Sequence, residues 1–359
     1  MDSYTQFGYY RRKAHVLCEL LAQYIRHPNV AIIGSVHGNN VGDMALSRSV
    51  KNVVDEYTVR SGRQLIGGGR LGLANWPLGK RAIVAGGALG REKVLRTVVQ
   101  KYSAAPGNVA LAGMSFWSFD DLSEKTLQFL QATAYLSCRN RKDVRELRKR
   151  GIEATFAYDN AFSLAERGAE KEEGLLGVNV VPRHMKMKNG KYVPSESRPK
   201  FSESYVNMMC SIAKNYLSKG WRVVHVPFTS QDAALARQVF KGMGLYCRNY
   251  TSNVEETDRA VATCSRFIGA RYHSHVFALK SSVPLYSVSY ARKCRHLREE
   301  LDIPARLQAT RENIVEDPDA VVNRFTTRDG FVLSDEKRNE IDENARGSIE
   351  AAARSIGIS

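Results

Sequence analysis

The densest chemistry in the chain lies near position 270, in Gly269-Ala270-Arg271-Tyr272-His273-Ser274-His275. These residues follow the apolar pair Phe267-Ile268 and lead into a helical stretch, His275–Lys280. A strand, then Arg-x-His-Ser, then a helix N-terminus brings a guanidinium, an imidazole and backbone amides to one point. Each suits an anion, and the guanidinium suits a carboxylate or phosphate through paired hydrogen bonds. His273 can move a proton near neutral pH. It can equally serve only to cap the helix. His275 reads as an ordinary helix residue.

A second stretch, Gly34–Asp43 (GSVHGNNVGD), directly follows the first strand candidate. Backbone amides at such a turn cradle an anion or a sugar hydroxyl with help from the helix dipole. Asp43 then stands at the helix start; the plainer alternative makes it an N-cap and Gly42 a turn residue. Gly67–Gly72 spells G-x-G-x-x-G after a strand. The acidic residue a dinucleotide site expects about 20 positions on is missing, and Arg91-Glu92-Lys93 stands there instead. This run and Gly86–Gly90 both read as close-approach loops at the carboxyl edge of a sheet, where α/β proteins bind ligands. The chain contains neither G-x-x-x-x-G-K-[ST] nor H-E-x-x-H, which excludes a P-loop NTPase, and no cluster of metal-ligand spacing. Its six cysteines form no C-x-x-C pair and read as reduced thiols.

These residues need a scaffold, and the pattern supplies one. Short β-branched runs at Val30–Ile33, Arg63–Ile66, Ala82–Val84, Val109–Ala112, Ala134–Ser137, Val178–Val181, Arg222–Pro227, Phe267–Ile268 and Pro284–Val288 alternate with helical patterns. The helices are expected at Asp121–Thr133, Lys142–Arg150, Glu203–Ser218, Asp232–Lys241 and His275–Lys280. That alternation predicts α/β with parallel sheets and right-handed crossovers. The charged, Gly-containing break at Leu164–Leu176 separates two Rossmann-like domains, 1–170 and 171–333. The tail 334–359 reads as a helix, with Ile341, Ala345 and Ile349 at helical spacing, that braces the first domain. Residues 1–28 form an added helix-like segment. Arg183–Lys200 reads as a long mobile loop, either a lid or a solvated insertion. Arg139–Arg150, the densest basic run, reads as a solvated helix face.

The 359 residues carry a formal charge of +16, with 53 Lys+Arg against 37 Asp+Glu. The partners are therefore anionic: nucleic acid, an anionic membrane face or phosphorylated small molecules. An apolar content of 43% excludes a disordered chain. No apolar run reaches the roughly 18–20 residues of a membrane span, and no signal peptide is legible. A cytoplasmic protein is expected.

Taken in order, three pieces resemble the polysaccharide pyruvyl transferase family. They are Asn40-Val41-Gly42-Asp43; Arg139 through Glu146-Leu147 and Gly151-Ile152 to Asp159-Asn160; and Gly269–Ser274 with Phe277-Ala278-Leu279, Val283-Pro284-Leu285, Ser289-Tyr290 and Lys293. The resemblance runs from about Val30 to about Ile303. It implies two Rossmann-like domains facing a cleft (GT-B-like) and transfer of pyruvate from phosphoenolpyruvate to two sugar hydroxyls as a cyclic ketal. Phosphate leaves, and no cofactor or metal is needed. It further implies His273 as acid/base and Asp43 as the residue that orients or deprotonates a sugar hydroxyl. Arg271, Arg139, Tyr272, Ser274, Asn40, Gly42, Gly68, Gly69 and Lys293 are implied to bind substrate. The implied acceptor is a sugar or lipid-linked oligosaccharide of surface polysaccharide synthesis, and the remaining charge fits peripheral association with an anionic inner-membrane face. Asn140 stands where the family has Asp, which leaves Arg139 in want of its usual partner.

Two rival readings differ in class. One keeps the fold and makes the chain a glycosyltransferase using a nucleotide sugar. The other, a nucleic-acid-binding protein, rests on charge alone; no recognised nucleic-acid-binding signature is present and aromatics do not interleave with the basic runs.

Overall fold

The structure, a computed structural model, describes residues 30–34, 39–57, 62–66, 80–165, 168–289 and 291–358. The helix-like segment 1–28, the glycine run that includes Gly68 and Gly69, and Tyr290 lie outside the described residues. The chain divides into two compact units. One takes residues up to Gly38, Asp43–Leu164 and Glu340–Ser359; the other takes Asn39–Gly42 and Ala165–Asn339.

In the first unit a sheet is built from β1 (Val30–Gly34), β2 (Gly62–Ile66), β3 (Arg81–Val84), β4 (Gly87–Gly90), β5 (Val109–Phe116), β6 (Tyr135–Cys138) and β7 (Thr155–Phe156). The order is β2-β1-β3-β5-β6-β7, with β4 pairing on β5, and every pairing is parallel. Helices α1 (Val41–Tyr57), α2 (Glu92–Tyr102), α3 (Glu124–Gln131) and α4 (Arg141–Arg148) connect the strands. A parallel sheet covered on both faces needs strands that are apolar on both sides. Accordingly Ala31 and Ile33 pack with Leu95, Val98 and Val99 of α2, while Val30 and Ile32 pack with Val50, Val53 and Val54 of α1. The glycine run expected as a loop at 86–90 is mostly strand β4. Gly86 and Gly87 bend, at φ 73° and 76°, and a Cβ on Gly86 would lie 2.4 Å from the carbonyl oxygen of Ala112.

The second unit's sheet holds β8 (Glu172–Val178), β11 (Arg222–His225), β12 (Tyr246–Cys247), β13 (Cys264–Gly269), β14 (Leu285–Ser289) and β15 (Gln308–Thr310) in the parallel order β12-β11-β8-β13-β14-β15. A separate antiparallel hairpin pairs β9 (Met185–Lys188) with β10 (Lys191–Pro194). The helices are α5 (Pro199–Ser218), α6 (Ser230–Val239), α7 (Val254–Ala262), α8 (Tyr272–Lys280), α9 (Arg292–Glu300), α10 (Arg311–Glu316) and α11 (Pro318–Thr327). Both units are thus Rossmann-like. Each sheet reverses its winding once, between β1 and β3 in the first unit and between β8 and β13 in the second.

The last helix, α12 (Asp335–Ser355), braces the first unit as expected. Ile349, Ala352 and Ala353 join the core under Val30 and Ile32. Asn344 accepts the backbone N–H of Tyr158 at 2.8 Å, and Ser348 bonds Ser137 at 2.8 Å.

Three further sequence expectations need correction. The strand placed at Val178–Val181 ends where it was expected to begin; it starts at the exposed, charged Glu172-Glu173, which hid it. The mobile loop at 183–200 is largely the β9–β10 hairpin, turned by Asn189 (φ 49°) and Gly190 (φ 74°). Two consecutive residues of positive φ make the tight primed turn that matches strand twist. Helix α8 begins at Tyr272, three residues before His275, which puts His273 inside its first turn.

Candidate functional site

Open α/β sheets bind ligands at the carboxyl ends of the strands flanking the reversal of winding. In the second unit that crevice lies between β8 and β13. Asn179 leaves β8 and Arg271 leaves β13, and both are there. Asn179 is fully buried, donates from Nδ2 to the carbonyl of Val226 at 3.1 Å, and accepts the N–H of Arg271 on Oδ1 at 2.9 Å. One side-chain amide therefore ties together the exits of β8, β11 and β13.

Arg271 is the N-cap residue of α8 but makes no capping bond with its side chain. Its guanidinium turns to Asp232. Nη2 reaches Oδ1 at 2.6 Å, Nε lies 3.1 and 3.2 Å from the two carboxylate oxygens, and Nη2 also donates to Thr229 Oγ1 at 3.2 Å. Asp232 sits where it does because Thr229-Ser230-Gln231-Asp232 is a capping box that opens α6. Its Oδ2 accepts the N–H groups of Phe228 and Thr229 as well. The carboxylate is fully buried, whereas 22% of the Arg271 side chain stays exposed. An aimed, partly exposed guanidinium at a helix N-terminus is what a carboxylate or phosphate ligand requires.

His273 is two residues on, 4% exposed, edge-to-face with Tyr272 at 5.1 Å. Ser274 Oγ donates to the carbonyl of Arg271 at 2.7 Å and fixes the turn. Gly269 lets this turn fold back on β13, since a Cβ there would lie 2.6 Å from the His275 ring. Lys293 of α9 carries its ammonium 5.8 Å from the centre of the Tyr272 ring, within cation–π range.

Residues Asn39–Gly42, which belong to the second unit, meet the same place. The N–H of Val41 donates to the carbonyl of Phe228 at 3.0 Å, and Asn39 donates to Ser230 at 2.9 Å. Asn40 caps α1 by accepting the N–H of Gly42 at 3.1 Å. A Cβ on Gly42 would lie 2.1 Å from Nδ1 of His273, so only glycine allows this approach. Asp43 is half-buried in the first turn of α1; it is not the N-cap, because Asn40 is.

Arg139 belongs to the first unit, at the exit of β6. It is not left without its partner: Nη1 donates to Asp159 Oδ2 at 2.6 Å, with the side chains 4% and 0% exposed. Asn140 caps α4, accepting the N–H of Asp143, and donates to the Asp143 carboxylate at 2.7 Å. Part of the neighbouring basic run is also engaged internally. Arg148 donates twice to the carbonyl of Ala154, and Arg150 pairs with Glu146.

Several groups are tuned by their surroundings. Burial pushes the His275 imidazole down to about 4, and Lys293 adds to this; a bond from its Nε2 to the Gly269 carbonyl at 2.8 Å opposes it. His275 is therefore neutral and structural. Burial also drives His225 down to about 4, against the pull of Asp232. At the foot of the hairpin, burial and then the charges of Arg183, Arg198 and Arg311 lower His184. Burial and Asp232 raise the Tyr192 phenol, and Arg271 partly offsets them.

The structure thus brings Arg271, Tyr272, His273, Ser274, Lys293, Asn40 and Gly42 together in the second unit, and sets Arg139 in the first. Sequence reasoning passed over Asp232 and Asn179. The capping-box spacing marked Asp232, and a lone amide in the apolar run Val178–Val181 marked Asn179.

Among solved structures, a putative UDP-N-acetylglucosamine 2-epimerase from Listeria monocytogenes aligns at 9% identity and a TM-score of 0.52, covering 90% of this chain and 94% of that one. UDP-GlcNAc 2-epimerase from Neisseria meningitidis, solved bound to UDP-GlcNAc, aligns at 7% identity and a TM-score of 0.50, covering 90% and 99%. At such identities the likeness shows a common fold. No curated protein matches the sequence. The polysaccharide pyruvyl transferase family matches residues 112–292, from the middle of β5 through the Arg-x-His-Ser turn to the first residue of α9. The chain belongs to the polysaccharide pyruvyl transferase family, a transferase family, here on an α/β scaffold of two Rossmann-like units.

Proposed function

We propose that this protein transfers pyruvate from phosphoenolpyruvate to two hydroxyls of a sugar as a cyclic ketal, releasing phosphate. The observation that carries this reading is the Arg271 guanidinium, held by Asp232 and Thr229 at the reversal point of the second sheet, with His273 one helical step away. Phosphoenolpyruvate presents a carboxylate and a phosphate on three carbons. In this reading Arg271 holds one anionic group, and Lys293 adds positive charge. His273 delivers a proton to the methylene carbon, which becomes the methyl group. The cationic centre left at C2 takes the oxygen of one sugar hydroxyl. The second hydroxyl then forms the other C–O bond as the bond from C2 to the phosphate oxygen breaks. The two hydroxyl protons leave to the base and the departing phosphate. A positioned acid/base contributes about 10²–10⁴-fold, and orientation and charge stabilisation supply the larger remainder. Asp43 orients or deprotonates an attacking hydroxyl.

The acceptor in this reading is a sugar or lipid-linked oligosaccharide on the cytoplasmic side. No helix among the described residues is long and apolar enough to cross a membrane. The exposed Lys188 and Lys191 at the hairpin tip suit an anionic surface, and retention on anionic vesicles at low salt tests that part. The reaction itself is tested by incubating the protein with phosphoenolpyruvate and glycans. Phosphate release together with a mass gain of one pyruvyl ketal supports the reading. Turnover with a nucleotide sugar alone refutes it.

A further inference from the structure

The first sheet extends at its carboxyl edge. Strands β3 and β4 pair with successive stretches of β5, Val109–Leu111 and then Met114–Phe116. The last pairing of β5 with β6 is at Met114, and the β4–β5 pair runs on past it to Phe116. Gly90 lets these two strand ends close, since a Cβ there would lie 2.7 Å from the Phe116 ring. The N–H of Trp117 donates to the Gly90 carbonyl at 3.3 Å. Arg91 and Trp117 therefore leave the edge side by side.

The chain that follows is fastened at both ends. Phe119 stacks on Phe116 with ring centroids 4.9 Å apart. Ser123 donates its N–H and its hydroxyl to the Glu92 carboxylate at 3.1 and 3.0 Å, which ties the far end to the start of α2. The Arg91 guanidinium lies 3.7 Å from the centre of the Trp117 ring, within cation–π range. Yet Trp117 stays 58% exposed, against 5% for its neighbour Phe116. Holding an indole in solvent forgoes the burial that ordinarily stabilises so large an apolar side chain.

Such an indole offers a ligand an apolar face that is already oriented, so little ordering is lost on binding. The guanidinium beside it supplies hydrogen-bond donors along its edge. The pair stands at the edge where open α/β sheets bind ligands. A pyranose matches both groups, with a flat patch of C–H groups for the ring and hydroxyls for the donors. We propose that Trp117 and Arg91 form a glycan subsite, the indole stacking on a pyranose of the acceptor and the guanidinium donating to its hydroxyls. The subsite belongs to the first unit, whereas Arg271 belongs to the second. It grips the acceptor away from the bonds that change. This deepens the pyruvyl-transfer reading and rests on it for the word acceptor.

The test is calorimetric titration of wild type, Trp117→Ala and Arg91→Gln with cellotetraose, chitotetraose, β-1,4-mannotetraose and β-1,4-galactotetraose, and with UDP and ADP. At least one tetrasaccharide binds wild type. Its dissociation constant rises about 10–100-fold in Trp117→Ala, where the stacking face is lost. In Arg91→Gln it rises about 3–10-fold, the worth of one hydrogen bond and the cation–π contact. Melting temperatures match wild type, because the Trp117 side chain is largely in solvent. Where the tetrasaccharide is also pyruvylated, its KM rises in Trp117→Ala with kcat unchanged, the mark of binding away from the reacting atoms. Equal tetrasaccharide binding by Trp117→Ala and wild type, or none by wild type, overturns the subsite. UDP or ADP binding that is lost in Trp117→Ala makes the indole a platform for a nucleobase and overturns it too. If wild type consumes no phosphoenolpyruvate, the reaction reading alone fails, and the titrations still decide whether the indole holds a glycan.

Discussion

Replacing Asp232 with Asn separates two accounts of Arg271. If the guanidinium works only as a charge, removing the carboxylate 2.6 Å away strengthens the local positive field and tightens phosphoenolpyruvate binding. If it works as an aimed fork, losing the anchor weakens binding. The sizes follow from the geometry. Two unit charges about 4 Å apart attract by about 4 kcal/mol at an effective dielectric of 20. Breaking a buried pair by removing one partner costs about 3–5 kcal/mol. Arg271 keeps 22% of its side chain exposed, so water reclaims part of the loss and about 3 kcal/mol is expected. Ordinary domains have about 5–15 kcal/mol of stability, so Asp232→Asn remains folded. Urea unfolding reads the first quantity. Calorimetric titration with phosphoenolpyruvate reads the second, and a dissociation constant raised about 10–100-fold is expected, equivalent to about 1.4–2.8 kcal/mol of lost orientation. The variant Arg271→Lys, a point charge without the fork, behaves alike. A folded Asp232→Asn that binds phosphoenolpyruvate as well as wild type, or more tightly, refutes the reasoning.

Other outcomes follow from the same geometry. His273→Gln is expected to lose about 10²–10⁴-fold in kcat with an unchanged melting temperature; near-normal turnover would remove His273 from the chemistry. Arg139→Met removes the guanidinium 2.6 Å from the buried Asp159 carboxylate, so stability falls by about 3–5 kcal/mol, and the double replacement Arg139→Met/Asp159→Leu recovers most of it. Equal losses in the single and double variants contradict that account. His275 and His225 are held near 4 when folded, against an ordinary value of 6.5. Their contribution is complete above pH 6.5 and is lost as the pH falls towards 4, because the unfolded chain then binds the extra protons. Each adds a slope of about 1.4 kcal/mol per pH unit. Urea midpoints at pH 7 and pH 5 should converge in His275→Gln, and an unaltered pH dependence counts against it.

The alternation of strands and helices was legible because buried parallel strands read as short apolar runs, and Val30–Ile33 and Val109–Ala112 are of that kind. Strand β8 was misplaced because its first residues, Glu172-Glu173, are exposed and carry no such signal. The Arg-x-His-Ser turn stood out from residue types alone. What holds it did not, since Asp232 and Asn179 lie 39 and 92 positions from Arg271 and meet it only through the folded sheet. In the sequence Arg139 lacks an acidic neighbour, since Asn140 follows it, whereas in the fold Asp159 reaches it from 20 residues on. The hairpin is a different case. Asn189-Gly190 is a strong local turn signal, and the basic composition around it masked the alternation of Met185, Lys186, Met187 and Lys188.

The brace formed by α12 has a consequence for synthesis. The face of β1 that carries Val30 and Ile32 is covered partly by Ile349, Ala352 and Ala353, residues made more than 300 positions later. On the ribosome, where domains form in order of emergence, the first unit begins earliest and closes last. The whole second unit is made while that apolar strip still waits for its cover. Nascent chains paused before residue 340 should therefore engage chaperones through the first unit, and release should come with the arrival of α12.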